Sequence, residues 1–266
     1  MECDLNNYHV LFLDMDGTIL RSDHSISDKT KEAIRTVQEK GMEVFLATGR
    51  PIHEIREIAN ELQIQSMIGY NGALGIYKGD IIVEQPMSPH VIDHYLQVAQ
   101  SNDNEMVLYT DTYNLFTNLD NERVKHFIDF FGFKNCHPFE TNQKENILGI
   151  TLINVTNEEI KLYDIEAEDI DFAPINIQGM DHCFDVIRDQ VNKGIAIQAI
   201  LNKLHLSPDQ AIAFGDGLND IQMLSSVGAG FAMGNAHPDL LPFAKYQTKS
   251  VDEDGVYHGL KSLGLL

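Results

Sequence analysis

Val10-Leu11-Phe12-Leu13 is an unbroken apolar run that stops at Asp14-Met15-Asp16-Gly17-Thr18. Four consecutive apolar residues leave no face for solvent, so as a strand they must be covered on both sides, as in the interior of a parallel sheet. Ligands in such sheets bind beyond the carboxyl ends of the strands. Asp14 and Asp16 are therefore expected together at that rim. Two anions so close repel one another and lose hydration, and the arrangement is favourable if a cation such as Mg²⁺ lies between them or if one holds a proton. Either condition suits a catalytic site.

The pattern that follows repeats the theme. Ser27 to Lys40 reads as a helix, with Ser27 as cap, Ala33, Ile34 and Val37 on one face and Gly41 as terminator. Glu43 to Ala47 reads as a second strand ending at Thr48-Gly49-Arg50, and Pro51 then opens a helix carrying Ile52, Ile55, Ala59 and Leu62. Met67 to Tyr70 is a weaker strand, and Gln210 to Phe214 and Val227 to Met233 bracket the helix-like Asp220 to Ser225. Strands alternating with helices predict an α/β fold, a doubly wound parallel sheet of Rossmann-like form. The middle has a different rhythm. Leu74 to Tyr77 with Ile81 to Glu84, and Met106 to Thr110 with Tyr113 to Thr117, read as hairpins. Asn121 to Phe131 reads as a helix, Ile147 to Val155 and Ala173 to Gln178 as strands, and Phe127, Phe130, Phe131 and Phe133 as core. The expectation is an inserted α+β domain over residues 85–188, between core segments 1–84 and 189–266.

Charge narrows the partners. The formal net charge of -21, from 19 basic and 40 acidic residues, argues against nucleic acid or an anionic membrane, because neutralising phosphate backbones needs a surplus of Lys and Arg. A small molecule is expected instead, and an anionic one needs a local cation to overcome the overall field. Cys3, Cys136 and Cys183 form neither a CxxC pair nor an even set, so no zinc site or disulfide framework is expected. No apolar run approaches the roughly 18 residues of a membrane span, and no Lys or Arg precedes Arg21. The expected location is the cytoplasm, as a monomer or small homo-oligomer.

A second acidic cluster joins the first. Ala211-Ile212-Ala213-Phe214 runs into Gly215-Asp216-Gly217-Leu218-Asn219-Asp220, again an apolar strand delivering carboxylates to a glycine-rich turn. In a parallel sheet the strand ends before Asp14, Thr48 and Asp216 point the same way and can share one crevice. Lys193 opens the helix-like Lys193 to Leu204 and can reach it. Carboxylates for a hard cation, a hydroxyl beside free amides and a positive charge are the parts needed to hold and transfer a phosphoryl group. Other readings fail on spacing. A calcium loop needs Gly and Glu where this chain has Ile19 and Ser25. Gly228-Ala229-Gly230 lacks the third glycine of a dinucleotide fingerprint, and no P-loop is present. The histidines show no zinc spacing; His182, in Gly179-Met180-Asp181-His182, is the one placed where it could face a substrate.

Together, Asp14-Met15-Asp16-Gly17-Thr18, Thr48-Gly49-Arg50, Lys193 and Gly215 to Asp220 closely resemble, in order, the four motifs of the haloacid dehalogenase-like superfamily of phosphohydrolases. The insertion between the second and third motifs is similar to the C2 cap class. The Asn71-Gly72-Ala73 turn and Asn192-Lys193-Gly194 resemble the Cof-type sugar phosphatases of subfamily IIB.

The resemblance implies a role for each motif residue. Asp14 would be the nucleophile, forming an aspartyl phosphate, and Asp16 the general acid and then base. Asp16 must then hold a proton near neutral pH, which partial burial among carboxylates would favour. Asp14, the Asp16 main-chain carbonyl and Asp216 would bind Mg²⁺, with Asp220 in support. Thr48, the Gly49 amide and Lys193 would bind phosphate oxygens, Arg50 and Asn219 the phosphate or leaving group, and the Met15 amide the phosphate. The substrate implied is a small phosphorylated metabolite: a sugar phosphate, or a cofactor phosphate such as pyridoxal phosphate or flavin mononucleotide. The rivals are a phosphomutase or phosphotransferase using the same nucleophile, and a non-catalytic ligand-binding sensor.

Overall fold

A computed structural model describes residues 8–166, 168–175, 177 and 179–266. The chain divides into two compact units, one of Met1–Arg50, Ile55–Val83 and Asn192–Leu266, the other of Pro51–Glu54 and Glu84–Val191.

The first unit is built on an eight-stranded sheet. Its order is Tyr246–Gln247, Ala229–Ala232, Ala211–Gly215, Val10–Leu13, Glu43–Ala47, Ser66–Gly69, Leu74–Tyr77 and Asp80–Glu84. The first six strands pair in parallel, and Leu74–Tyr77 turns back antiparallel to Ser66–Gly69. Strand Val10–Leu13 is central and wholly buried, as its unbroken apolar run demands. Leu11 and Leu13 pack on one face with Ala33, Ile34 and Val37 of helix Asp28–Glu39 and Val256 and Leu260 of helix Gly255–Ser262. Val10 and Phe12 pack on the other with Ala196, Ile197, Ile200 and Leu201 of helix Lys193–Leu204. This is the doubly wound α/β architecture. Ser27 caps the first helix by accepting a hydrogen bond from Thr30 N, which satisfies one of the amides orphaned at a helix start.

The second unit is α+β. Its six-stranded sheet runs Ile170–Pro174, Cys183–Arg188, Gly149–Ile153, Glu105–Tyr109, Asn114–Phe116, Cys136–Pro138. All neighbours are antiparallel except the last pair. Helix Pro89–Asn102 packs Val91, Ile92, Tyr95 and Ala99 into one core with Tyr163 and Phe184, and helix Glu122–Phe131 packs Val124 and Phe127 into another. Arg188 ties the beginning and end of this unit, donating to the carbonyls of Gln85, Pro86 and Leu148.

Several expectations need correction. The strand expected from Ala173 begins at Ile170, and its Asn176 and Gln178 lie outside the described residues. Helix Pro89–Asn102 and strand Cys183–Arg188 had no sequence reading of their own. Phe130 and Phe131 are 44% and 36% exposed, because the helix buries one stripe through Val124 and Phe127 and these residues stand at its exposed last turn. The surface position that the sequence favours for His182 is found: it is exposed on a turn at φ 69°.

Candidate active site

Three parallel strand ends and one helix start, all in the first unit, build the site. Leu13 lies opposite Phe214 on one side and Leu46 on the other, so Asp14, Asp216 and Thr48 leave the sheet at one edge. Asp14 N donates to Phe214 O at 3.0 Å. Asn192 caps helix Lys193–Leu204 by accepting from Ile195 N, which sets Lys193 at the first helical position and fully buried. The helix reaches so close because it has glycine at 194: a Cβ there would stand 2.6 Å from Gln222 O.

Lys193 Nζ donates to Asp14 Oδ1 and to Asp220 Oδ1, both at 2.6 Å. The other oxygen of Asp220 accepts the amides of Asp216 (2.9 Å) and Gly217 (3.0 Å). Asp220 thus folds its own turn and aims Lys193 at Asp14. Asp216 Oδ1 accepts the Thr18 hydroxyl at 3.1 Å and its Oδ2 accepts Asn235 Nδ2 at 3.3 Å. One carboxylate oxygen from each of Asp14, Asp216 and Asp220 lies within 4.8 Å of the others.

The charge balance of this cluster is uneven, three carboxylates facing one buried ammonium. Burial, and then Asp220, push Asp14 well above the usual carboxylate range against the pull of Lys193. The same two causes raise Asp216 to about 6. Burial alone would lower Lys193, but Asp14 and Asp220 outweigh it and hold the ammonium above its ordinary value. The cluster therefore carries more negative charge than its surroundings accommodate. A hard divalent cation is the complement that such an oxygen donor set fits. Asp220 is wholly buried, with Lys193 on one oxygen and two main-chain amides on the other, whereas Asp216 is partly exposed and carries only a hydroxyl and a long amide contact, so Asp14 and Asp216 are the carboxylates that could hold it.

The remaining motif residues are placed as follows. Asp16 is not partly buried among carboxylates: its side chain is 54% exposed and is held by Arg50, whose Nε and Nη2 donate to its two oxygens at 2.8 and 2.5 Å. Asp16 is not among the carboxylates that lie within 4.8 Å of one another. Buried Thr48 accepts Arg50 N at 3.1 Å, which leaves its hydroxyl proton to donate. Gly49 permits the close approach of Asn71, whose Oδ1 would lie 3.0 Å from a Cβ. Asn219 Nδ2 donates to that same Asn71 Oδ1 at 3.0 Å. The Met15 side chain is in the core, and its carbonyl accepts the amides of Thr18, Ile19 and Leu20.

Sequence reasoning gave no role to the Thr18 hydroxyl, to the Asn71 side chain or to Asn235. Asn235 follows the apolar strand Ala229–Ala232, whose Ala232 lies opposite Gly215. Examining the end of every parallel strand would have found it.

Gly17 has φ +79°, and a Cβ there would fall 2.2 Å from Asp216 Oδ2. Gly17→Ala is expected to cost about 1–2 kcal/mol for the left-handed backbone, a loss of roughly 5 °C in Tm. It should also weaken divalent-metal binding about tenfold or more by displacing Asp216. Calorimetry with Mg²⁺ checks this, and wild-type affinity would show that Asp216 does not need its present place.

The chain is similar in sequence and fold to known proteins. The family model of the haloacid dehalogenase-like hydrolases matches residues 11–260. The protein YkrA of Bacillus subtilis (strain 168) is 33% identical over 97% of this chain and 98% of its own length. The 5-amino-6-(5-phospho-D-ribitylamino)uracil phosphatase YitU of the same organism is 27% identical over 95% of this chain and 96% of its own. Among solved structures, the HAD subclass IIB sugar phosphatase BT4131 is 26% identical and superposes with a TM-score of 0.80, covering 97% of this chain and 100% of that one. A match that begins in the first strand and ends in the last helix takes in both acidic turns and the buried lysine, and the chain belongs to the haloacid dehalogenase-like hydrolases.

Proposed function

We propose that this hydrolase is a Mg²⁺-dependent phosphatase that cleaves a small phosphorylated metabolite through an aspartyl phosphate on Asp14. The observation that carries the reading is a buried carboxylate at a strand end, bonded to a buried lysine and within 4.8 Å of the carboxylates of Asp216 and Asp220. Asp14, Asp216 and the Asp16 main-chain carbonyl would hold the ion, with Asp220 behind them. Bound Mg²⁺ would supply positive charge to the phosphate and to the carboxylate that attacks it.

The chain's own residues divide the chemistry. Asp14 attacks phosphorus in line, the P–O ester bond breaks, and Asp16 gives its proton to the departing alkoxide. Asp16 then takes a proton from water, which attacks the aspartyl phosphate and frees phosphate and the Asp14 carboxylate. Lys193 and Thr48 stabilise the equatorial oxygens as charge develops. Arg50 holds Asp16 as an ionised carboxylate through two bonds; a bound phosphate offers Arg50 a competing acceptor, and Asp16, once released, would take up from solvent the proton that it delivers to the leaving oxygen. Asn219, braced by Asn71, lies on the same rim to meet the phosphate or leaving group. Residues 85–188 are assigned as the cap that selects the substrate; the substrates named for YitU and BT4131, a ribitylaminouracil phosphate and sugar phosphates, differ although this chain matches both over nearly its whole length. Sugar phosphates come first as candidates, then pyridoxal phosphate and flavin mononucleotide.

Among the described residues no helix is long and apolar enough to cross a membrane. Cys136 and Cys183 are free thiols pushed by burial up to about 11, which keeps them protonated and unreactive. The test of the proposed activity is phosphate release from sugar phosphates, pyridoxal phosphate, flavin mononucleotide and p-nitrophenyl phosphate, with Mg²⁺ and with EDTA. Release that requires Mg²⁺ is expected from at least one compound; release undiminished by EDTA, or none from any, would overturn the reading.

A further inference from the structure

Asn235 makes three hydrogen bonds from a loop outside the four motifs, one to each acidic turn and one that ties it to Val251. Its Nδ2 donates to Gly17 O at 2.8 Å and to Asp216 Oδ2 at 3.3 Å, and its Oδ1 accepts Val251 N at 2.9 Å. The residue is exposed, so burial does not account for these contacts. Both neighbours are ones whose position matters to the site. Gly17 lies in the first acidic turn at a φ that only glycine adopts easily, packed against the Asp216 carboxylate. Asp216 has Thr18 on one oxygen and Asn235 on the other, which fixes the rotation of the carboxylate about its Cβ–Cγ bond.

We infer that Asn235 is a positioning residue for the metal site: its amide locks the Asp216 carboxylate and the Gly17 turn to each other, and Val251 holds the amide in place. The inference rests on the proposed Mg²⁺ site at Asp14 and Asp216. An anionic ligand that donors hold in one orientation binds a cation without first losing rotamer freedom, and removing such outer partners costs 10- to 100-fold in metal affinity in general. The donor is an uncharged amide, which leaves the charge of Asp216 intact for the ion. A cationic side chain in its place would compete with the metal for that charge.

Two variants test the inference through binding and melting. Asn235→Ala removes both donors and is expected to raise the Mg²⁺ dissociation constant at least tenfold by calorimetry with the metal alone. Asn235→Asp keeps an acceptor for Val251 N, so the loop stays tied, but it sets a fourth carboxylate beside the cluster, against Gly17 O and Asp216. That variant should melt below wild type in EDTA and gain more in Tm on adding Mg²⁺ than wild type does, because the ion relieves the repulsion. A merely structural tie would lower Tm in the alanine variant while leaving both variants with the wild-type response to Mg²⁺, and that result would overturn the inference. Wild-type protein that binds no Mg²⁺ would instead overturn the proposed metal site itself, so the two failures are distinguishable.

Discussion

Lys193→Met will cost the protein both its activity and much of its stability. The side chain is fully buried and its ammonium bonds Asp14 and Asp220, each at 2.6 Å. Methionine fills a similar volume with no charge, and two buried carboxylates are left facing one another. Removing one partner of a buried ion pair costs about 3–5 kcal/mol, which for a chain of this size corresponds to roughly 10 °C in Tm. Catalysis loses more: a charge-stabilising donor at a phosphoryl-transfer centre is worth about 10²- to 10³-fold in kcat, and here Asp14 is also left to protonate in place of attacking. A fall in kcat of roughly 10³-fold is expected. Arginine is no substitute, because its planar fork is larger than the slot beneath Gly194 and Asp220. The double variant Lys193→Met with Asp220→Asn separates the two losses: with one surplus charge removed it should regain stability, measured by calorimetry in EDTA, and regain no activity. A single variant within tenfold of wild-type kcat would remove Lys193 from the mechanism.

The sequence made this centre legible for a definite physical reason. Strands buried on both faces have no polar positions of their own, so the first polar residues after Leu13, Ala47 and Phe214 stand out and must lie at the strand ends. Parallel pairing then brings those ends to one edge. Lys193 was legible as the first residue of a helix-like segment and, with Asn192 and Gly194, through the family resemblance. What stayed hidden depends on side-chain direction across long separations. Nothing local to Asp16 tells that Arg50, 34 residues away, would hold it outside the carboxylate cluster; nothing local to Asn235 tells that it meets Gly17 from 218 residues away. The inserted unit was less legible for another reason. Helix Pro89–Asn102 is only weakly amphipathic, burying Val91, Ile92, Tyr95 and Ala99 among His, Gln and Ser, and Cys183–Arg188 interleaves Asp185 and Arg188 with apolar residues. Neither segment offers the uninterrupted run that marked the first sheet.

Asp14→Asn is expected to abolish turnover while leaving the metal-free fold as stable as wild type or more so. The amide lacks the nucleophilic oxygen charge needed to form the acyl phosphate, and loss of a covalent nucleophile in a cooperating site costs about 10⁴-fold or more. The substituted side chain retains an oxygen to accept from Lys193, so the buried ammonium keeps both partners. The stability effect follows from the direction in which Asp14 is shifted. Burial and Asp220 raise it above its unfolded value near 3.8, so over the intervening pH range the native state binds more protons than the unfolded state, and native stability falls as pH rises. Well below the unfolded value of 3.8 the carboxyl is protonated in both states and the variant should melt with wild type; as pH rises through that value the wild type bears the cost of ionising a crowded carboxylate and the variant does not. Melting curves in EDTA from pH 4 to pH 8 should therefore diverge in favour of the Asp14→Asn variant, and Mg²⁺ should narrow the gap by stabilising the wild type more, because the ion's complement is the charge that the variant lacks. A variant retaining more than a few percent of activity would exclude Asp14 as nucleophile, whereas an inactive variant that is less stable than wild type at neutral pH in EDTA would show that Lys193 and the surrounding amides do more for the ionised carboxylate than its burial and Asp220 take away.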